Sequence, residues 1–380
     1  MATIERVEVF PVRLPITRLF TFASGSTGPA GSGAPHVFVR VTDSDGCYGW
    51  GEARPVPQWS YETLETVTTT LRHHLAPAIL GLPVTDRWEL HRRMYGAIGR
   101  GPSAGQPIAK GALDTAVHDL CARATNLPLR AYLGGSTEPR RVALSYTISA
   151  HDHESAVAEV NAAREQGYRH FNFKAAVAPE TDVAVSRALR ETAGLEAFIW
   201  ADANQGFRLH QARLTAEAFR QAGVNVLEQP LPADQLGLMQ QLRASTALPL
   251  AIDEASVGPS DFLRYVSAGV VDYLVIKLTR SGGVWPALQQ MAIADAAGLP
   301  LLVSGLTESL LAKCAACQVA SVYGFAGPAA LNGSQFIDDA TIFPGKASIE
   351  FGGEVHLDST PGIGVEPDVA ALISLRIDEL

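Results

Sequence analysis

His170-Phe-Asn-Phe-Lys174, Phe198-Ile-Trp-Ala-Asp202, Val224-Asn-Val-Leu-Glu228, Leu250-Ala-Ile-Asp253 and Tyr273-Leu-Val-Ile-Lys277 are five short apolar runs, each closing on a charged residue. The closing residues lie 28, 26, 25 and 24 positions apart. That interval holds about one strand, one helix and two loops, the repeating unit of a parallel sheet whose strands deliver chemistry at their carboxyl ends. Three carboxylates flanked in chain order by two lysines make a catalytic arrangement the first expectation.

Outward from this core the same alternation continues. Val142–Thr147 reads as a strand, Glu154–Gln166 as a helix that Gly167 ends, and Pro300–Ser304 as a seventh strand. An eighth, weaker strand is expected around Ala329–Leu331. Seven or eight units with right-handed crossovers favour a closed (β/α) barrel over an open sheet. An open dinucleotide-binding sheet would carry a glycine fingerprint after its first strand. The only comparable glycine pair, Gly282-Gly283, follows the sixth strand.

The amino-terminal part is different. Val7–Phe10 and Val37–Val41 alternate with period two, and Asp43-Ser-Asp-Gly46 turns into a third strand ending at Trp50. A Gly/Ser/Pro-rich loop, Ser24–Pro35, joins the first two. Helical periodicity follows near 61–80, 86–98 and 108–124. Strands and then helices predict an α+β domain over residues 1–130, completed by the tail at about 360–380, beside a barrel domain over 138–355.

Bulk properties bound the function. A chain of 380 residues with 47% hydrophobic and 18% charged residues suits a packed globular protein of more than one domain. A net charge of −9 without a basic block argues against nucleic acid or an anionic membrane as partner. The opening Met1–Phe10 lacks the order of a signal peptide, no run reaches the length of a membrane span, and four cysteines suit a reducing compartment. A cytoplasmic location is expected. Cys314-Ala-Ala-Cys317 sits in a small-residue helix with no second pair or histidine beside it, and reads as packing rather than redox or metal chemistry.

In a barrel, Asp202, Glu228 and Asp253 would converge on one mouth. Singly, a carboxylate at a strand end caps a helix or pairs with a surface lysine. Three in register need a cation among them, and an all-oxygen set suits Mg²⁺, or Mn²⁺ in its place. Lys174 and Lys277, one strand to either side, would approach a bound substrate from opposite faces. A divalent cation nearby favours the neutral amine, a competent base. A carboxylate held on such a metal has a more acidic α-proton, because the enediolate is stabilised.

These residues resemble the enolase superfamily, in its muconate lactonising enzyme subgroup. The resemblance rests on Lys174, Asp202-Ala-Asn204, Glu228-Gln-Pro230, Asp253-Glu254 and Lys277-Leu-Thr-Arg-Ser-Gly-Gly283. Gly49-Trp-Gly-Glu52, Ala112-Leu-Asp-Thr-Ala116, Leu133-Gly-Gly135 and Pro361-Gly-Ile-Gly-Val365 agree with it, so it covers nearly the whole chain. It implies an α+β capping domain over a modified (β/α)₇β barrel, one essential Mg²⁺, and a homo-oligomer. It implies Lys174 as the base and places substrate choice in two cap loops, Ser24–Pro35 and Arg54–Tyr61, where Trp59 and Tyr61 would wall the pocket. Members of the subgroup usually carry two lysines separated by one residue; here Asn172 stands for the first. Arg280 keeps a positive charge where many relatives have lysine, and Glu308 resembles the acidic residue after the seventh strand. No histidine lies between His210 and His356, which disfavours a histidine base late in the barrel.

The leading expectation is Mg²⁺-dependent removal of the proton α to a carboxylate, with racemisation or epimerisation of an amino-acid derivative: an N-acyl amino acid, a dipeptide or a proline derivative. The same half-reaction could end instead in β-elimination or in muconate-type cycloisomerisation. A non-catalytic acid- or metal-binding relative is the other class, against which the intact set of ligands and lysines speaks. An aldolase with a Schiff-base lysine would need one lysine and no metal triad.

Overall fold

The computed structural model describes residues 1–22, 25–26, 33–101 and 104–377. Most of the Ser24–Pro35 loop therefore lies outside the described residues. Within it, Gly25–Ser26 pairs with Thr21–Phe22, and Gly33 opens the second cap strand.

The cap is a three-stranded antiparallel sheet of Ile4–Pro15, Gly33–Asp43 and Tyr48–Ala53. The buried helix Pro107–Ala124 packs on the third strand. The sequence Gly49-Trp-Gly51 is what lets them touch. A Cβ on Gly49 would stand 2.1 Å from the Leu120 amide nitrogen, and one on Gly51 2.0 Å from the Ala112 carbonyl oxygen. Only hydrogen fits at either position.

Seven parallel strands follow in chain order: Ser145–Ile148, His170–Lys174, Ile199–Asp202, Val226–Glu228, Leu250–Ile252, Tyr273–Ile276 and Leu301–Val303. Parallel bridges from Ala329 to Leu144 and from Ala330 to Ser304 join the last strand to the first. The short segment around Ala329 is the eighth stave, giving the (β/α)₇β barrel. Helices on the outside bury apolar stripes against it. The helix His153–Glu165, for example, starts where Asp152 accepts from the Ser155 amide at 2.8 Å, and ends before Gly167 at φ +99°.

One expected strand is two. Arg140–Ala143 runs antiparallel to Glu354–Leu357, and only Ser145–Ile148 belongs to the barrel. The two partners need opposite hydrogen-bond patterns, so the chain changes sheets at Leu144.

The tail returns to the cap. Ile363 donates its amide to Asp119 at 2.6 Å, and Ile377 donates to the Pro11 carbonyl at 2.9 Å. No helix among the described residues is long and apolar enough to cross a membrane.

Candidate active site

Successive strand residues face opposite sides, so a side chain two positions beyond an inward residue also faces inward. Trp200, Val226, Ala251, Val275, Leu302 and Ala330 form one buried cluster, the packed interior of the barrel. Two residues on from the first four stand Asp202, Glu228, Asp253 and Lys277. Asn172 and Lys174 have the same relation on the strand before. Register aligns Lys174 with Asp202 and Asp202 with Glu228. The alternation of a strand thus carries the charged residues from an apolar interior to one mouth.

There they grip one another. Lys174 Nζ lies 2.5 Å from Asp202 Oδ2, and Lys277 Nζ 2.6 Å from Asp253 Oδ2. Arg280, on the turn Leu278–Ser281, takes the other oxygen of Asp253. Asn204 donates from its side chain to Glu254 Oε1 at 2.9 Å and from its amide to Asp202 Oδ1 at 2.9 Å. Gln229 accepts the amides of Asp253 and Ala255 at 2.9 and 3.1 Å, which fixes the loop bearing the third carboxylate. Its signal in the sequence was its place in Glu228-Gln-Pro230.

The electrostatics are uneven. Burial, then Asp202 and Asp253, push Glu228 well above its ordinary pKa. Burial and the same two carboxylates raise Glu254 to about 7. Burial opposes the Asp253 anion too, but Arg280 and Lys277 outweigh it and hold Asp253 low. Burial disfavours the Lys277 ammonium, yet Asp253, Glu228 and Asp202 together keep its pKa raised. The tilt toward neutral amine expected from the sequence is thus one that a divalent cation would have to confer.

Several observations test whether the residues suit such a cation. The donors are all oxygen, and Glu228 Oε1 is buried without a hydrogen-bond partner. An orphaned, partly repelled carboxylate oxygen is what a hard cation would satisfy. Among the described residues no three His, Cys, Asp or Glu side chains form a ready-made cage. The cause is visible: Asp253 is turned onto Lys277 and Arg280, and the small cavity at the mouth is lined by Asp202 and Glu228 but not by Asp253. The donor chemistry fits Mg²⁺, provided Asp253 exchanges a cationic partner for the metal.

Aromatic residues of the cap roof the mouth. Lys174 Nζ sits 5.3 Å from the ring centre of Phe20 and 5.5 Å from that of Trp59, and Lys277 Nζ lies 6.0 Å from Trp59. The enclosed space holds little more than a water molecule, about 20 Å³. Trp59 accordingly lies over both lysines. Tyr61 does not join it: at φ 54°, after the short helix Pro57–Ser60, its side chain points outward and is more than half exposed. Tyr61, expected from the sequence on the pocket wall, does not line the cavity in this structure.

Asn172 lies on the cavity wall in a neutral network. Its Oδ1 accepts from Ser145 at 2.9 Å, and its Nδ2 donates to Thr147 at 3.0 Å, which also accepts from Asn332 at 2.9 Å. Asn332 and Phe20 were not foreseen. Asn332 follows the inward Ala330 by two, so the alternation extended to the eighth strand would have found it; nothing local marks Phe20. Glu308 is buried beside the mouth rather than in it. It accepts from Thr279 Oγ1 at 2.8 Å and from the Leu306 amide at 2.5 Å, and does not line the cavity. Cys314 and Cys317 are buried on the helix Leu310–Ala320, with burial pushing Cys317 up to about 12. A roomier groove of about 890 Å³, between the helix Arg87–Ala97 and the barrel, contains none of the charged strand-end residues.

Known proteins resemble this chain over nearly its whole length. Residues 155–371 match a family model described as enolase C-terminal domain-like. Residues 7–134 match the mandelate racemase / muconate lactonizing enzyme N-terminal domain. The chain is 28% identical over 376 residues to N-succinyl-L-Arg/Lys racemase of Bacillus cereus, covering 98% of both. The crystal structure of the Bacillus cereus N-succinyl Arg/Lys racemase superposes with a TM-score of 0.88 at 26% identity, over 99% of this chain and 98% of that one. An aromatic dipeptide epimerase of Herpetosiphon aurantiacus is 31% identical over 366 residues, covering 96% of this chain and 98% of the relative. A chloromuconate cycloisomerase of Cupriavidus necator is 28% identical over 366 residues, covering 94% of each.

Proposed function

We propose that this protein, which belongs to the mandelate racemase/muconate lactonizing enzyme family of the enolase superfamily, removes the proton α to a carboxylate with Mg²⁺ and returns it on the opposite face. The substrate class is an amino-acid derivative carrying a second amide or acyl group, such as an N-acyl amino acid or a dipeptide. Asp202, Glu228 and Asp253 are the metal ligands in this reading, and Lys174 and Lys277 the two bases. The observation that carries it is the placement of the lysines on the strands that flank the three carboxylates.

The metal, when bound, would hold the substrate carboxylate and stabilise the charge that builds on it as the α-proton leaves. The chain supplies the rest. Lys174, between Asp202 and the faces of Phe20 and Trp59, has one direction of approach. Lys277, fixed by Asp253 on the sixth strand, has the opposing one. Either amine can take the proton while the other donates, so inversion needs no movement of the backbone. The aromatic roof keeps bulk water from the site, which preserves the electrostatics on which the step depends. The lining of the mouth must open to admit a substrate, because the space it encloses holds little more than a water molecule.

A second reading ends the same half-reaction by β-elimination or cycloisomerisation; the similarity to a chloromuconate cycloisomerase favours keeping it. The test incubates the protein with Mg²⁺ in D₂O against N-acyl amino acids, dipeptides, proline derivatives and muconates, with α-protons followed by NMR. Exchange with inversion of an N-acyl amino acid or dipeptide is expected. Turnover confined to muconates, or an unsaturated product, would replace the first reading by the second. No exchange with any acid would contradict both.

A further inference from the structure

We propose that Asp114, on the cap helix Pro107–Ala124, is a positioning residue for Lys277 and not for Lys174. The inference rests on the proton-transfer reading above. Lys277 is the N-cap residue of the buried turn Leu278–Ser281, which bears Arg280 and runs through Gly282 and Gly283 into the helix Val284–Ala296. That helix begins at a glycine with no capping side chain of its own. The missing acceptor comes from the other domain: Asp114 Oδ2 accepts the Trp285 amide at 3.2 Å. A carboxylate at that place answers both the open donor and the helix dipole.

Contact is close on both sides of this bond. A Cβ on Gly283, at φ +105°, would stand 2.3 Å from Asp114 Oδ2, and one on Gly111 would stand 2.7 Å from the Thr279 carbonyl oxygen. The cap helix therefore touches the backbone on each side of Gly282. Asp114 is itself fully buried and immobilised, with Oδ1 2.7 Å from His91 Nε2 and its backbone carbonyl 2.8 Å from His118 Nδ1. Among the described residues, the backbone that follows Lys174 receives no such bond from the cap helix. The strand of Lys174 leads into Ala176, whose amide is held by Asp182 within the barrel. The cap helix thus braces the turn that Lys277 begins, whereas, among the described residues, the cap meets Lys174 only through the rings of Phe20 and Trp59.

The test compares Asp114→Ala and the gentler Asp114→Asn with the unaltered protein by two readouts. The first is Mg²⁺-dependent α-proton exchange from each enantiomer of a substrate in D₂O, with Lys277→Ala identifying the enantiomer that Lys277 serves. Exchange of that enantiomer is expected to fall at least about tenfold relative to the other, since displacement of a base by about an ångström costs up to about a hundredfold. The second is reductive methylation of surface-accessible amines, read by peptide mass spectrometry, which needs no activity. Labelling of Lys277 is expected to rise several-fold while Lys174 stays unchanged. Equal loss on both faces, or unchanged labelling of Lys277, would overturn the proposal. If the unaltered protein exchanges no acid, the proposed function fails, and the labelling alone still decides the role of Asp114.

Discussion

Glu228 carries the heaviest electrostatic load in the mouth: it is buried, one oxygen is unsatisfied, and two carboxylates repel it. Glu228→Gln is expected to weaken Mg²⁺ binding at least about tenfold and to abolish metal-dependent exchange. The same change should raise the stability of the chelator-treated protein, because the repulsion from Asp202 and Asp253 is relieved. Calorimetry with and without Mg²⁺ checks both signs; a fall in stability without metal would contradict this account of the cluster. A second residue titrates nearer neutrality. Burial raises Glu62 to about 7, although the amides of Ile108 and Ala109 at the start of the long cap helix oppose the shift. A carboxyl whose folded pKa exceeds its unfolded value contributes stability below the unfolded pKa and loses it as pH rises through the folded one. The stability that Glu62 contributes should therefore be lost between about pH 5 and 8, and Glu62→Gln should shift the pH dependence of the melting temperature upward over that range. At this scale the strand-end residues were legible because period two and a regular interval leave little choice of direction. Tyr61 was not, since an aromatic in a short loop carries no signal of the left-handed turn that faces it outward. Glu308 stood in the right segment, but its bond to Thr279, 29 positions away, cannot be read from either residue's neighbours.

Among elements, the barrel strands were readable as apolar runs and the cap helices by their periodicity. The break at Leu144 was hidden because Arg140–Ala143 and Ser145–Ile148 form one continuous pattern whose partners differ. The eighth strand was faint for a related reason: Ala329 and Ala330 make isolated bridges rather than a full ladder. The roof element was only half foreseen. The short helix Pro57–Ser60 carries Trp59 to both lysines, while Phe20, from before the second cap strand, completes the cover. Trp59→Ala should open the mouth and remove ring faces worth about 0.5–2 kcal/mol to the ammonium groups. We expect a fall in kcat/KM of about tenfold or more, with Mg²⁺ affinity retained. Unchanged kinetics would mean that the roof neither shields nor aligns the bases.

For the whole molecule, cap and barrel meet through a buried carboxylate. Glu52, from Gly49-Trp-Gly-Glu52, accepts His36 Nδ1 at 2.8 Å within the cap and the Ser309 and Ala312 amides at 2.9 and 3.1 Å at the start of a barrel helix. Glu52→Ala leaves those donors buried without an acceptor and should cost about 3–5 kcal/mol in urea unfolding. The α+β cap and the barrel were both legible from the order of strands and helices. Their mutual fit was not, because it depends on side chains some 250 residues apart, as in Glu52 with Ser309. The central claim is that two lysines of one barrel work from opposite faces of one metal-held carbon acid. The direct measurement is the initial rate of Mg²⁺-dependent α-deuterium exchange for each enantiomer separately, in the unaltered protein, Lys174→Ala and Lys277→Ala. Each variant is predicted to lose exchange of one enantiomer by about a hundredfold or more while retaining that of the other, and chelation should silence all three. Loss of both enantiomers in one variant and neither in the other, or exchange that survives chelation, would contradict it.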